Sequence, residues 1–165
     1  MLNICAINNL IDKGFELFLC FCFLVIVALI IYFTVKKYKW SLFRIDRMKG
    51  HDFEELMKEV YTLLGYKVEQ TKKSGDQGID LIIKKHFKRI GVQLKRYSGT
   101  VGNSAVQEAV AGKRYYKLDK VCVLTSSNFT KSAIELAKAN KVELLDRSEL
   151  SQLLKRAKKK SRRKI

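Results

Sequence analysis

An uncharged stretch of 19 residues, 17–35, narrows the structures open to this chain more than any other part of the sequence. It is rich in Phe, Leu, Ile and Val, and as a helix it is long enough to cross the hydrocarbon core of a bilayer. A cleavable signal peptide is the alternative, but its apolar region is usually shorter, and no small-residue cleavage site follows this stretch. We therefore predict a short N-terminal segment at residues 1–14 and a retained transmembrane helix at residues 15–36.

Charged residues on the two sides of this stretch predict its orientation. Lys13 is the one basic residue before it, whereas six follow it closely: Lys36, Lys37, Lys39, Arg44, Arg47 and Lys49. Because basic flanks are retained on the cytoplasmic side, we expect a single-pass protein of the cell membrane with residues 1–14 outside and the rest of the chain in the cytoplasm. Residues 37–51 then form a basic linker beside the anionic inner leaflet.

The part of the chain after the apolar stretch is strongly basic. Residues 36–165 contain 32 of the 33 basic residues and 14 of the 16 acidic ones, a net charge of +18. Eight of these basic residues and no acid lie in the tail, residues 155–165, which leaves +10 on residues 36–154. Nucleic acid and anionic lipid both suit such an excess, and charge alone does not separate them.

Hydrophobic periodicity predicts one α/β domain at residues 52–154. The predicted elements are helix 52–64, strand 66–71, a hairpin at 75–97, helix 103–117, strand 121–124, helix 130–140, strand 142–145 and a helix from 149 onward. Asp52 and Glu55 make a capping-box pattern at the start of the first helix. The order α-β-β-β-α-β-α-β-α implies crossover connections and a mixed sheet that helices cover on both faces.

The hairpin brings an acid, an amide and a lysine onto adjacent strands. Asp80 opens its first strand, and in the second strand apolar residues at 90, 92 and 94 alternate with Gln93 and Lys95. Period-2 spacing aims Gln93 and Lys95 at the same side, as expected of a site built on a rigid strand. The alternative is an ordinary solvated strand face, and the hairpin alone favours that interpretation.

Six stretches in a fixed order carry a resemblance to a known family: Asp52-Phe53-Glu54-Glu55-Leu56, Leu64-Gly65-Tyr66, Gly75-Asp76-Gln77-Gly78-Ile79-Asp80, Val92-Gln93-Leu94-Lys95-Arg96-Tyr97, Leu124-Thr125-Ser126 and Ala133-Ile134-Glu135-Leu136-Ala137. Over about residues 52–150 the chain resembles the Mrr-type restriction endonuclease catalytic domain of the PD-(D/E)XK nuclease superfamily. The resemblance implies a restriction-endonuclease-like α/β fold, a mixed central sheet flanked by helices with an α-β-β-β-α-β core.

The resemblance also assigns roles to residues. Asp80 matches the family's metal-binding acid, Gln93 its second ligand position, Lys95 its catalytic lysine and Glu54 the acid of its first helix. Gln93 stands where the wider superfamily usually has Glu, and its amide oxygen still suits a hard cation. The implied cofactor is Mg²⁺ or another divalent cation, held by Asp80, Gln93 and the backbone carbonyl of Leu94.

The implied function is a membrane-anchored, Mg²⁺-dependent DNA endonuclease of the restriction or DNA-processing type. Candidate contacts to the DNA backbone are Lys72, Lys73, Arg96, Lys113 and Arg114. The alternative is a membrane-tethered module on the same fold that binds nucleic acid without cleaving it. A purely structural lipid-binding protein would leave the hairpin residues unexplained. A homodimer is one option that the sequence leaves open.

Overall fold

The computed structural model describes residues 4–38, 41–71 and 77–163. Residues 1–39 form a unit of their own, which holds helix α1, Ile4–Tyr38. Within α1, Lys13–Tyr32 is long and apolar enough to cross a membrane, by length and composition. Large apolar side chains are exposed along it, Phe15 and Leu17 among them. The predicted apolar helix is therefore present, and its orientation in a membrane stays a prediction.

The second unit, residues 40–165, contains the α/β domain. Its described elements are α2 Leu42–Ile45, α3 Gly50–Leu63, β1 Lys67–Gln70, β2 Leu81–Lys85, β3 Lys88–Lys95, α4 Asn103–Tyr115, β4 Lys120–Thr125, α5 Lys131–Asn140, β5 Glu143–Leu145 and α6 Arg147–Arg162. From α3 onward the predicted order is confirmed. The capping box predicted at Asp52 is wrong, because α3 begins at Gly50 and its N-cap, Lys49, makes no side-chain bond.

Within the described residues the strands form one mixed sheet in the order β1-β2-β3-β4-β5. Neighbours from β1 to β3 are antiparallel, whereas neighbours from β3 to β5 are parallel. A parallel pair needs a crossover, and α4 and α5 provide the two crossovers. In the β2–β3 hairpin, Leu81 lies opposite Val92.

Helices cover both faces of the sheet. On one face, α3 and α6 contribute to a cluster that includes Phe53, Met57, Leu81, Val92, Leu124, Leu150 and Leu154. On the other face, α4 and α5 contribute to a cluster that includes Ile79, Ile82, Val106, Ala109, Val121, Val123, Ala133 and Ala137. Since side chains alternate across a strand, Val92 and Leu94 of β3 enter the first cluster, and Gln93 and Lys95 lie on the side of α4.

The packed core extends on both sides of residues 52–154. Ile45 of α2 is fully buried in the first cluster. Ala157, within the basic tail, is fully buried in the same cluster, because α6 runs on through the tail to Arg162. The described part of the tail is therefore a helix packed against the domain.

Candidate functional site

The β2–β3 hairpin brings Asp80 against the part of β3 that carries Gln93. Asp80 directly precedes β2, whose first residue, Leu81, lies opposite Val92. Asp80 N donates to Val92 O at 3.1 Å, and Leu94 N donates to Asp80 Oδ2 at 2.6 Å. The buried Asp80 carboxylate therefore lies directly against β3.

Thr71 holds the backbone at Asp80 from the opposite side. Its N–H donates to Asp80 O at 3.0 Å. Its hydroxyl bonds to the carbonyl oxygens of Ile79 and Asp80. Because Thr71 follows β1 directly, two neighbouring strands fix the position of this acid, as a first ligand of a site requires.

Gln93 is a buried polar residue with an unsatisfied atom. It is 5% exposed, and among the described residues its Oε1 has no hydrogen-bond partner. A buried carbonyl without a partner costs about 1–3 kcal/mol, so native proteins keep few of them. An amide oxygen beside a carboxylate is a donor set that hard divalent cations accept. Asp80 and Gln93 therefore fit the cation that the sequence predicts.

Lys95, the last residue of β3, forms an ion pair that sequence reasoning missed. Its Nζ lies 2.6 Å from Oε2 of Glu108 on α4. Local periodicity gives no signal for this pair, because Glu108 is not among the buried residues of α4, which are Ala105, Val106, Ala109 and Gly112. Glu108 meets Lys95 only through the packing of α4 on the sheet.

A close backbone contact sets the position of α4 against the hairpin. Gly78 has φ +79°, and a Cβ built on it would lie 2.4 Å from the backbone oxygen of Glu108. A Cβ on Gly112 would lie 2.4 Å from the side chain of Ile79. The helix thus rests on the turn that leads into Asp80, and this contact brings Glu108 to the site.

The end of β4 fixes the chain where it leaves β3. Thr125 Oγ1 donates to Lys95 O at 2.8 Å, and Ser126 N donates to the same oxygen at 3.2 Å. Ser126 Oγ bonds to both N and O of Tyr97, each at 3.1 Å. A cavity of about 360 Å³ opens beside this strand end, lined by Lys95, Tyr97 and the start of α4.

A second group of contacts lies next to the site, around Arg147. Its guanidinium donates to Asp46 Oδ1 and Oδ2, each at 2.7 Å, and to Ser126 O at 2.7 Å. The hydrogen bond from Arg147 lowers the pKa of Asp46. Arg96 Nε donates to Met48 O at 2.6 Å. The chain just before α3 is therefore bound to the residues that follow β3 and β4.

The other predicted site residues are placed as follows. Lys113 and Arg114 lie in the last turn of α4. Glu54 lies on α3 with its Oε2 3.8 Å from His51 Nδ1, and its part in the site stays a prediction. Lys72 and Lys73 lie outside the described residues. The structure thus groups Asp80, Gln93 and Lys95 and adds Glu108 to them.

Comparison with known families identifies the class of this domain. The Mrr_cat restriction endonuclease family model matches residues 45–154. The chain belongs to this family of restriction endonucleases. The match starts at the buried Ile45, and it includes every described residue of the site. No curated protein matches the chain in sequence.

Solved structures share the restriction-endonuclease-like fold. The DNA modification-dependent restriction endonuclease AspBHI is 17% identical with a TM-score of 0.55, over 73% of this chain and 36% of that one. The protein of unknown function AF1548 is 14% identical with a TM-score of 0.50, over 58% of this chain and 56% of that one. The chain thus spans just over half of the length of AF1548 and about a third of the length of AspBHI. At such identities the likeness shows the fold, and the family match makes the domain a nuclease-type domain.

Proposed function

We propose that this chain is a membrane-anchored endonuclease that hydrolyses DNA phosphodiester bonds with a divalent cation, Mg²⁺ or a related ion. The observation that carries the proposal is the buried Gln93 Oε1, which has no hydrogen-bond partner among the described residues and lies next in sequence to Leu94, whose N–H donates to the Asp80 carboxylate. Lys95 lies at the end of the same strand. Membership of the restriction endonuclease family supports the class of reaction.

Each residue has a distinct part in this proposal. The Asp80 carboxylate, Gln93 Oε1 and the Leu94 carbonyl would hold the cation, which when bound supplies Lewis acidity to the scissile phosphate. The bond from Leu94 N keeps the Asp80 carboxylate oriented. The Lys95 ammonium stabilises the negative charge that develops on the phosphate, and Glu54 orients the attacking water.

DNA is a substrate that suits the basic charge of the chain, and the restriction endonuclease family favours it over anionic lipid. Residues 36–154 carry a net charge of +10, and the tail adds eight basic residues. Arg96, Lys113 and Arg114, with Lys72 and Lys73, would contact phosphates and position the duplex without reading its sequence. AspBHI, which shares the fold, is a DNA modification-dependent restriction endonuclease.

The apolar helix would anchor the enzyme with its domain in the cytoplasm. Lys13–Tyr32 is long enough to span a bilayer, and six basic residues follow it where one precedes it. A reporter fused after Ile165 should therefore be active only if it functions in the cytoplasm. A reporter active only outside the membrane contradicts this orientation.

A cleavage assay on the full chain in detergent tests the proposal. We expect plasmid DNA to be cut with Mg²⁺ and left intact with a chelator. Lys95→Met should remove cleavage, whereas Lys138→Met, at an exposed lysine of α5, should leave it unchanged. If the wild-type chain binds DNA but cuts none with Mg²⁺ or Mn²⁺, the non-cleaving binding module is the correct function instead.

A further inference from the structure

The cation site proposed above is short of negative charge. Asp80 contributes one carboxylate, while Gln93 contributes a neutral amide at 5% exposure. Hard divalent cations in proteins are held chiefly by carboxylate, carbonyl and water oxygens. A second carboxylate near Asp80 and Gln93 would supply the charge that the amide does not.

Glu108 is placed to supply it. Its Oε2 lies 2.6 Å from Lys95 Nζ, on the face of β3 that carries Gln93. Its backbone packs against Gly78, two residues before Asp80. Glu108 therefore contacts two chain segments, the turn that leads to Asp80 and the strand that carries Gln93.

We propose that Glu108 is the second acidic ligand of the cation site, and that Lys95 holds its carboxylate until a cation binds. This inference rests on the proposed function. In the structure the Lys95 ammonium supplies the positive charge that faces Glu108. A divalent cation that takes this carboxylate releases Lys95, which can then turn to the phosphate.

The surroundings of this ion pair distinguish it from an isolated surface pair. Its side chains are 32% and 42% exposed, so the pair itself contributes about 0–1 kcal/mol to stability. Lys95, however, is two residues along β3 from Gln93, whose buried Oε1 has no partner among the described residues. Glu108 lies on α4 near Ala105 and Gly112, which are buried.

Isothermal titration calorimetry of the full chain in detergent measures its affinity for Mn²⁺ and tests the proposal without substrate. We expect Glu108→Gln, which keeps the size of the side chain, to weaken Mn²⁺ binding about tenfold or more. Glu135→Gln, at an exposed acid of α5, is the matched control and should bind as the wild type does. Circular dichroism confirms that each variant is folded.

Lys95→Met provides an independent readout. Because Lys95 competes with the cation for Glu108, its removal should tighten Mn²⁺ binding, and that gain should shrink in the Glu108→Gln background. An equal gain in both backgrounds contradicts the competition.

The outcomes separate this inference from the proposed function. Unchanged Mn²⁺ affinity in Glu108→Gln, with affinity lost in Asp80→Asn, overturns the role of Glu108 and leaves the endonuclease proposal intact. If the wild-type chain binds no Mn²⁺ and cuts no DNA, both proposals fail.

Discussion

Two neighbouring strands, β3 and β4, bury polar side chains near their ends, but the hydrogen bonding of these side chains differs. At the end of β4, Thr125 is fully buried and Ser126 is 2% exposed, and both hydroxyls bond to backbone atoms of the chain leaving β3. In β3, Gln93 is 5% exposed, and within the described part of the chain its Oε1 meets no donor.

The difference distinguishes buried groups whose hydrogen bonds are complete from a buried group that is left without a partner. A satisfied buried hydroxyl stabilises one local geometry, whereas an unsatisfied buried oxygen destabilises the fold that contains it. Thr125 and Ser126 fit the first description and Gln93 the second. Such a group in a native protein calls for an explanation, and a bound ion is one such explanation.

The largest expected effect is at Asp80. Asp80→Asn keeps an oxygen that can accept from Leu94 N but removes the negative charge. Loss of a group worth several kcal/mol in the transition state slows cleavage by roughly a thousandfold. Cleavage rates and thermal unfolding of the two proteins check this. If Asp80→Asn also unfolds at a clearly lower temperature than wild type, the role of Asp80 is structural, like that of Thr125 and Ser126.

Thr125→Val should give the next largest effect, on stability. Valine has nearly the same shape but loses the bonds to Lys95 O and Ser127 N. We expect the free energy of unfolding to fall by about 1–3 kcal/mol, measured by urea denaturation. Thr62→Val is the control, because the Thr62 hydroxyl bonds to Lys58 O on an exposed helix face and its loss should change little.

Gln93→Leu should act in the opposite direction. It replaces an unsatisfied buried amide with an apolar side chain of similar size, so the free energy of unfolding in the absence of metal should rise by about 1 kcal/mol. Cation binding and cleavage should be lost at the same time. A destabilised variant would mean that the Gln93 amide is as well satisfied as the Thr125 hydroxyl.

The smallest effect concerns Asp46, the partner of Arg147. Arg147 lowers the pKa of Asp46, so this pair stabilises the fold above the ordinary pKa of about 3.9, and the contribution disappears as the pH falls through the lowered value. Asp46 and Arg147 side chains are 44% and 36% exposed, which limits the contribution to about 0.2–1 kcal/mol. In urea denaturation, Asp46→Asn and wild type should differ at pH 7, and the difference should shrink as the pH falls below about 3.9.

The order of helices and strands could be predicted because each depends on local periodicity. The continuous apolar run of β4 and the alternating apolar residues of β3 can be recognised directly in the sequence. The Asp46–Arg147 pair could not be found in this way, since its two residues are 101 positions apart. Glu108 could not be found either, because it reaches Lys95 only through the tertiary packing of α4 against the sheet. The predicted capping box at Asp52 was wrong because the residue pattern alone does not determine where a helix begins, and α3 begins at Gly50.

Gly78 has no side chain to contribute to any reaction, yet the arrangement of the polar residues depends on it. Any larger residue would meet the backbone of Glu108 and would need the left-handed conformation at φ +79°. Such a change would move α4 away from the hairpin while Asp80, Gln93, Lys95 and Glu108 all stayed in the sequence. A homologue that carries the complete set of polar residues but another residue at this position should therefore lack the ion pair between Lys95 and Glu108.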